Sequence, residues 1–384
     1  SIRGIAREIA AITDQPLKEV PIYSQKASSA KTRPLSIQID APALCKRYMG
    51  IAIQGVRLAD SPEWMQRRLN AAGLSCINNI VDITNYVMLE LGQPLHAFSY
   101  ANITKARIIV RQAHDQESIT LLNGESVTLT SSHLVIADSE KPLALAGIMG
   151  GLHSAISADT TDIVLESAFF NAVSIRKTAF ELAQRSESSQ RFEKGVDYPT
   201  IEAAFRRAIL LILELAGGQI ASEIMDIQPD VAPSPIGIPF RPDRINALLG
   251  TTLITAKMTR ILTSLGFQIK SDASHNLTAH TPSFRQYDVF RHADLVEEIG
   301  RMSGYALIEG VLPPITDFSE NCQPKTFVEL NDQLRELLTG HGASEIVSYS
   351  MVSPDEHALL YDHSLVEIQN PISHTESVLR PNLC

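Results

Sequence analysis

Apolar and polar positions alternate along the chain in two regimes. From 77 to 91, Ile77, Ile80, Val81, Val87, Met88 and Leu91 recur every three or four residues. That spacing predicts a helix with one buried face. Gly92-Gln93-Pro94 supplies its stop, and His96 follows just past it. Asn78, Asn79, Asp82, Thr84, Asn85 and Gln93 interleave with the apolar set. A helix of this kind needs neither a second amide nor a histidine after its stop, so the surplus polar groups suggest a site. Helical spacing also predicts elements over 1–20 (Ile5, Ile9, Ile12, then Pro16), 201–216, 243–249, 256–265, 292–303 and 327–338. Ser61-Pro62-Glu63 reads as a helix start with Ser61 as the cap, Pro62 at the first helical position and Gly73 as the stop. Gly217-Gly218 and Gly266 stop two of the others.

Between 106 and 167 the pattern shifts to strands: 107–111, 119–122, 127–129, 134–137 and 163–166, with Asn123-Gly124 as a tight turn. Further strands are expected at 45–56, on both sides of 271–276, and at 345–350. The expected fold class is α+β and multidomain. Residues 1–39 read as the remnant of a domain plus a linker (Ser24, Ser28, Ser29, Pro34), with no partner visible for the first helix. Residues 40–220 form a mixed α+β domain. A Pro-containing connection leads to a small winged-helix-like unit over 235–310, with helices and a two-stranded wing. Pro313-Pro314 marks the next boundary, and 315–384 begins a further module.

A chain of 384 residues exceeds one ordinary domain. No run of about 18 apolar residues exists, so no membrane-crossing helix is expected. Arg7 and Glu8 interrupt the apolar residues of the N-terminal segment, which therefore lacks the form of a signal peptide and looks like the middle of a larger protein. The net charge of −10 argues against a surface that wraps nucleic acid, without excluding a local contact to an RNA end. Cys45, Cys76, Cys322 and Cys384 are far apart, so structural zinc is not expected, and a reduced, cytoplasmic setting is the simplest reading.

Five constellations could carry chemistry. Thr84, Asn85 and His96 offer fixed donors and acceptors, or equally a cap and a satisfied loop histidine. The glycines of Ala146-Gly147-Ile148-Met149-Gly150-Gly151 let backbone approach a ligand, or simply make a turn. Glu166 ends an apolar run, where a carboxylate is costly unless paired, and suits recognition of a hydroxyl or amine. It could equally face water at a sheet edge. Residues 186–197 carry Ser186, Ser188, Ser189 and mixed charges without a nucleophile elbow. Asp288, Asp294, Glu297 and Glu298 are four carboxylates that would repel unless a cation or arginines offset them. Oxygen-only ligation fits Mg²⁺, whereas a solvated face would pair Glu297 with Arg301.

In order along the chain stand INNIVDITNYVMLELGQPLHAF, LALAGIMGG, LESAFF, RFEKGVD, RINALLG…ILTSLGF and PSFRQYDVFRHADLVEEIGRMSGY, with NPISHTESVLRP toward the end. This series resembles the beta subunit of bacterial-type phenylalanyl-tRNA synthetase. The resemblance implies an oligonucleotide-binding-fold domain upstream and an anticodon-binding domain downstream. It also implies that 315–384 starts an inactive, synthetase-like antiparallel module. The family enzyme is a heterotetramer of two alpha and two beta chains that uses ATP to join phenylalanine to its tRNA, with that site in the alpha chain.

The resemblance further implies an editing pocket that hydrolyses tyrosine wrongly attached to the tRNA, made of Thr84, Asn85, His96, Gly147, Glu166, Ser186 and Ser188. Glu166, helped by the backbone at Gly147, would read the tyrosine hydroxyl. Thr84, Asn85 and His96 would orient the ester and a water. Asp288, Asp294, Glu297 and Glu298 correspond to residues assigned to a Mg²⁺ shared with the alpha chain. Two positions depart from the family pattern. Ser186-Glu187-Ser188-Ser189 stands for Thr-Asp-Ala-Ser, so Ser188 adds a hydroxyl to the pocket wall that could weaken editing. Asn79 stands where Arg is frequent, which puts a contact to the tRNA end in question. A scaffold that only docks the alpha chain and tRNA is the alternative. A DNA-binding role for the winged-helix-like unit would need a basic recognition helix, and its third helix is acidic.

Overall fold

The computed structural model describes residues 1–24, 32–229, 234–312, 326–359 and 364–381. Ser28 and Ser29 of the expected linker, the Pro313-Pro314 boundary, Cys322 and Cys384 lie outside them. The fold is α+β, in two compact units, Ser1–Glu309 and Gly310–Cys384.

Helix α1 (Ile2–Thr13) is capped by the Ser1 hydroxyl, which accepts from Gly4 N. It has partners, contrary to the sequence expectation. Its polar side lies inward: the Arg7 guanidinium sits 3.9 Å over the Phe284 ring, Glu8 pairs with Arg301 at 2.6 Å, and Asp14 pairs with Arg260 at 2.7 Å. Ile2, Ile5, Ile9 and Ile12 are exposed. The isoleucine ridge therefore points outward, while aromatic and charged partners from distant sequence lie on the other face.

Strand β1 (Ser36–Ile39) precedes β2 (Cys45–Gln54), whose interior is buried on both faces. Helix α2 (Glu63–Ala71) starts after Pro62, which stands at the cap itself. The Ser61 hydroxyl does not cap it and donates instead to Asp82 Oδ2 at 2.7 Å. Helix α3 (Asn79–Leu91) is capped by Asn78, which accepts from Ile80 N and Val81 N, and it ends at Gly92 with φ +87°. Its buried side is not purely apolar. Asn79, Asp82 and Thr84 are buried, while Ile77 is exposed, because Asp82 is fixed by Ser61 and by Ile77 N. Strand β3 (Leu95–Ser99) follows.

Then come β4 (Arg107–Gln112), β5 (Ser118–Thr120), β6 (Ser126–Thr128), β7 (Leu134–Ala137), β8 (Pro142–Leu145), β9 (Met149–Gly150) and β10 (Asp162–Phe170). Gly124, at φ +86°, turns the β5–β6 hairpin as its Asn-Gly sequence predicts. Helices α4 (Ala172–Glu181), α5 (Glu187–Phe192) and α6 (Thr200–Leu215) lead to β11 (Gln219–Ile220) and β12 (Met225–Ile227). One sheet runs β1-β4-β7-β8-β9, and the other β11-β2-β10-β3 with β12 also on β2. The sequence did not anticipate β1, β3, β8, β9, β11 or β12. Strands β9, β11 and β12 are only two or three residues long, too short for an alternation to show, and β3 and β8 are mostly buried and so lack one. Strand β10 has distinct faces: Ser167 Oγ donates to Ile201 O of α6, while Glu166 lies on the other side, opposite Gly50 of β2 and His96 of β3.

A second core, centred on Phe240, Ile245, Met258, Leu262, Phe267, Leu295 and Ile299, gathers β13 (Gly237–Phe240), α7 (Pro242–Leu249), α8 (Thr255–Ser264), β14 (Gln268–Ser271), β15 (Leu277–His280) and α9 (His292–Ser303). Its sheet has three strands, β13-β15-β14, rather than the expected two. Pro239 disguises β13 in the sequence, yet an edge strand tolerates the missing N–H.

In the unit Gly310–Cys384, α10 (Thr326–Gly340) has no buried residue. Strand β16 (Met351–Val352) pairs antiparallel with β17 (Val378–Leu379), and α11 (Pro354–Ala358) lies between them in sequence. The expected strand at 345–350 does not form, and Ile346, Val347 and Tyr349 are exposed without a ladder partner. Among the described residues no helix is long and apolar enough to cross a membrane.

Candidate functional site

A cavity of about 410 Å³ opens between α3, β3, the 146–151 loop, β10 and the start of α5. Thr84, Asn85, His96, Gly147, Glu166, Ser186 and Ser188 all line it. Much of the remaining wall is apolar, including Val81, Met88, Leu122, Ile148, Met149 and Phe192.

Helix geometry brings Thr84 and Asn85 to the wall from α3. The Thr84 hydroxyl donates to Val81 O at 2.7 Å, one turn back on its own helix. Asn85 is half-buried, and its amide is unengaged by other protein groups among the described residues.

The His96 ring stands edge-on to Phe98, with centroids 4.5 Å apart. Its Nε2 is buried and meets no hydrogen-bond partner among the described residues. Burial pushes its pKa down to about 4, so the ring is neutral near pH 7. Gly150 makes room for it: a Cβ there would fall 2.7 Å from His96 Cε1.

Glu166 is buried and its Oε2 accepts from the Tyr48 hydroxyl at 2.5 Å. Among the described residues no protein group donates to Oε1. Burial pushes the carboxyl up to about 7, against the lowering effect of the Tyr48 hydrogen bond. This is a carboxylate between two sheets, not the water-facing edge residue that the sequence left open.

The two serines tie the α5 cap to the glycine loop. Ser186 Oγ accepts from Ser189 N and donates to Ile148 O at 2.6 Å, and Ser189 Oγ accepts from Ser186 N in return. Ser188 Oγ donates to Gly147 O at 3.1 Å. The hydroxyl that distinguishes Ser188 from alanine is thus directed into the loop backbone. Gly147 itself has φ +68°, and a Cβ on it would meet Ile175 at 2.9 Å, Phe170 at 3.0 Å and Phe192 at 3.1 Å. Glycine is required there by both conformation and space.

Two other polar residues of the 77–98 segment serve the fold. Gln93 Nε2 donates to Pro94 O and Ala168 O, holding the turn to β10. Asn79 is buried, donates to Arg57 O at 2.9 Å and accepts from Ala59 N, so its side chain cannot reach a tRNA end. Tyr48 escaped sequence reasoning. Only the register of β2 on β10 places it behind Glu166, although its position two residues from Gly50 on one strand face was readable.

The four carboxylates of the small core do not converge on a cation site. Glu298 lies between Arg285, at 2.7 Å, and Arg301. Asp294 accepts from Phe290 N, Arg291 N and Arg291 Nη2 at the start of α9. Asp288 pairs with Arg285 at 2.8 Å, and Glu297 faces outward. Arg301 pairs with Glu298 and Glu8, not with Glu297. Among the described residues no group of three or more His, Cys, Asp or Glu could hold a metal ion. In this chain alone the arginines supply the offsetting charge, and the four carboxylates are not gathered around one point.

Family models match three stretches: a B3/4 domain over 44–217, a tRNA synthetase B5 domain over 238–305, and a phenylalanyl tRNA synthetase beta chain CLM domain over 312–384. The phenylalanine–tRNA ligase beta subunit of Moorella thermoacetica is 41% identical over 389 residues, covering 100% of this chain and 48% of its own. That of Carboxydothermus hydrogenoformans is 42% identical over 397 residues, with 100% and 48% covered. That of Rhodopirellula baltica is 42% identical over 351 residues, with 91% and 50% covered. The chain spans about half the length of these relatives.

Proposed function

We propose that this chain, which belongs to the bacterial-type phenylalanyl-tRNA synthetase beta-subunit family, carries in its cavity a proofreading site that hydrolyses tyrosine mischarged onto phenylalanine tRNA. The observation that carries the reading is Glu166: a buried carboxylate with one oxygen anchored on Tyr48 and the other unclaimed, in a cavity with largely apolar walls.

Tyrosine differs from phenylalanine by one hydroxyl. An ionised Glu166 Oε1 accepts from that hydroxyl, while phenylalanine would leave it desolvated and unpaired. Discrimination of this kind is large because the unpaired alternative is costly. His96, neutral and with Nε2 unpartnered, and the Asn85 amide are the groups placed to orient the ester and a water. Water adds to the ester carbonyl carbon, the bond to the terminal ribose oxygen breaks, and a proton passes to that oxygen. Ser186 and Ser188 are not nucleophiles in this scheme, because their hydroxyls are bonded to loop carbonyls.

The chain would serve as the beta subunit in a heterotetramer with two alpha chains, and ATP-dependent attachment of phenylalanine would occur in the alpha chain. The test is deacylation of Tyr-charged and Phe-charged phenylalanine tRNA by the full enzyme. Glu166→Gln and His96→Ala should let mischarged tRNA accumulate while aminoacylation persists. Unchanged deacylation in both variants would leave only the scaffold role.

A further inference from the structure

We propose that Tyr48 is the positioning residue that makes Glu166 a selective reader, by occupying one carboxylate oxygen so that the other alone meets the ligand. The inference rests on the proofreading reading of the cavity and deepens it.

Tyr48 is fully buried and does not line the cavity, so it stands behind Glu166 and touches no ligand. Its register on β2 places it on the same face as Gly50, which lies directly across from Glu166. Beside that pair the Tyr48 phenol donates to Glu166 Oε2 at 2.5 Å. A free carboxyl in an apolar wall could rotate, present either oxygen, or hold its proton and donate. Any of these would blur the distinction between a hydroxylated and a plain ring. Donation from Tyr48 fixes the rotamer and favours the ionised, accepting form.

The other groups facing Glu166 do not substitute for it. His96 across β3 is neutral, and Cys45 on β2 gives its Sγ–H to Arg47 O. The Tyr48 bond lowers a carboxyl that burial has raised to about 7, so its removal leaves more of the protonated form at neutral pH.

The experiment measures binding of L-tyrosine and L-phenylalanine by the full chain as a function of pH, for wild type, Tyr48→Phe and Glu166→Gln. Wild type should prefer tyrosine, with the preference rising as the carboxyl ionises. Tyr48→Phe should move that midpoint upward and reduce the preference at neutral pH roughly ten-fold, as expected for loss of one charge-assisted hydrogen bond. Phenylalanine binding should not change. An unchanged midpoint and preference in Tyr48→Phe would overturn the inference while sparing the reading of the cavity. Absence of a tyrosine preference in wild type would overturn that reading instead. If Tyr48→Phe does not fold, fluorotyrosine incorporation provides the second arm. The more acidic phenol donates more strongly and should lower the midpoint, and a midpoint that stays put overturns the inference.

Discussion

Glu166 and Glu298 are both buried carboxylates, and they have opposite fates. Burial raises Glu166 to about 7, and its single protein donor is a neutral phenol. Burial would raise Glu298 too, but hydrogen bonds and charge from Arg301 and Arg285 outweigh it and hold the carboxyl below its ordinary range. Glu298 has its oxygens filled by guanidinium donors and is part of the scaffold. Glu166 keeps one oxygen in reserve. The lesson is that burial alone does not separate the two cases; the partners of each acid do.

The sharpest way to break this contrast is to remove the scaffold carboxylate. Glu298→Gln leaves two part-buried arginines without their shared anion, and we expect a loss of about 3 kcal/mol in urea unfolding. Because the folded pKa is lowered, the stabilisation is present above the ordinary carboxylate pKa and fades as pH falls through the folded value. The variant should therefore show a shallower acid slope. A cost near zero would mean that the clamp is incidental.

Gly147→Ala tests whether the loop beside Glu166 is equally rigid. Positive φ plus contacts of 2.9, 3.0 and 3.1 Å with three core side chains should cost roughly 2 kcal/mol by thermal or urea unfolding. A smaller loss would show that the loop yields.

Glu166→Gln should do the reverse of Glu298→Gln: stability at neutral pH holds or rises. A raised folded pKa means that the folded state binds the extra proton, so wild-type stability falls as pH climbs from the ordinary 4.5 toward about 7. Unfolding midpoints measured across that window should flatten in the variant. A large destabilisation at neutral pH would place Glu166 with Glu298 among the scaffold groups.

The smallest effect belongs to Ser188→Ala, which removes one partly exposed hydrogen bond to Gly147 O. We expect under about 1 kcal/mol and no change in tyrosine preference. A change in preference would give the hydroxyl a direct role in the cavity.

Helices were the most legible part of the chain. The α3, α6, α7, α8 and α9 segments follow from apolar spacing and their glycine stops, because these signals act within a few residues. The chemistry-bearing residues of the cavity were nameable too, since an asparagine, a histidine and a glutamate in apolar surroundings stand out locally. Harder to read were residues whose roles depend on a distant partner. Asn79 and Gln93 looked like surplus polar groups, yet Arg57, Ala59 and Ala168 employ them. The helical spacing of the α1 isoleucines was legible, but the partners of that helix, Phe284, Arg301 and Arg260, were not.

The sequence by itself determined the α+β class, through periodicity, and the family resemblance, through ordered motifs; that resemblance in turn named Thr84, Asn85, His96, Gly147, Glu166, Ser186 and Ser188. These signals are local along the chain. Only the tertiary structure decided which carboxylate is free. Arg301 stands three residues from Glu298, but no local pattern marks Arg285 as the second partner of Glu298 or Tyr48 as the partner of Glu166. Strand register delivers Tyr48 to the one, and the packing of Arg285 against α9, which itself carries Arg301, fixes the other. Partner choice over such separations is a property of packing, where desolvation and pairing are balanced, and no local pattern encodes it.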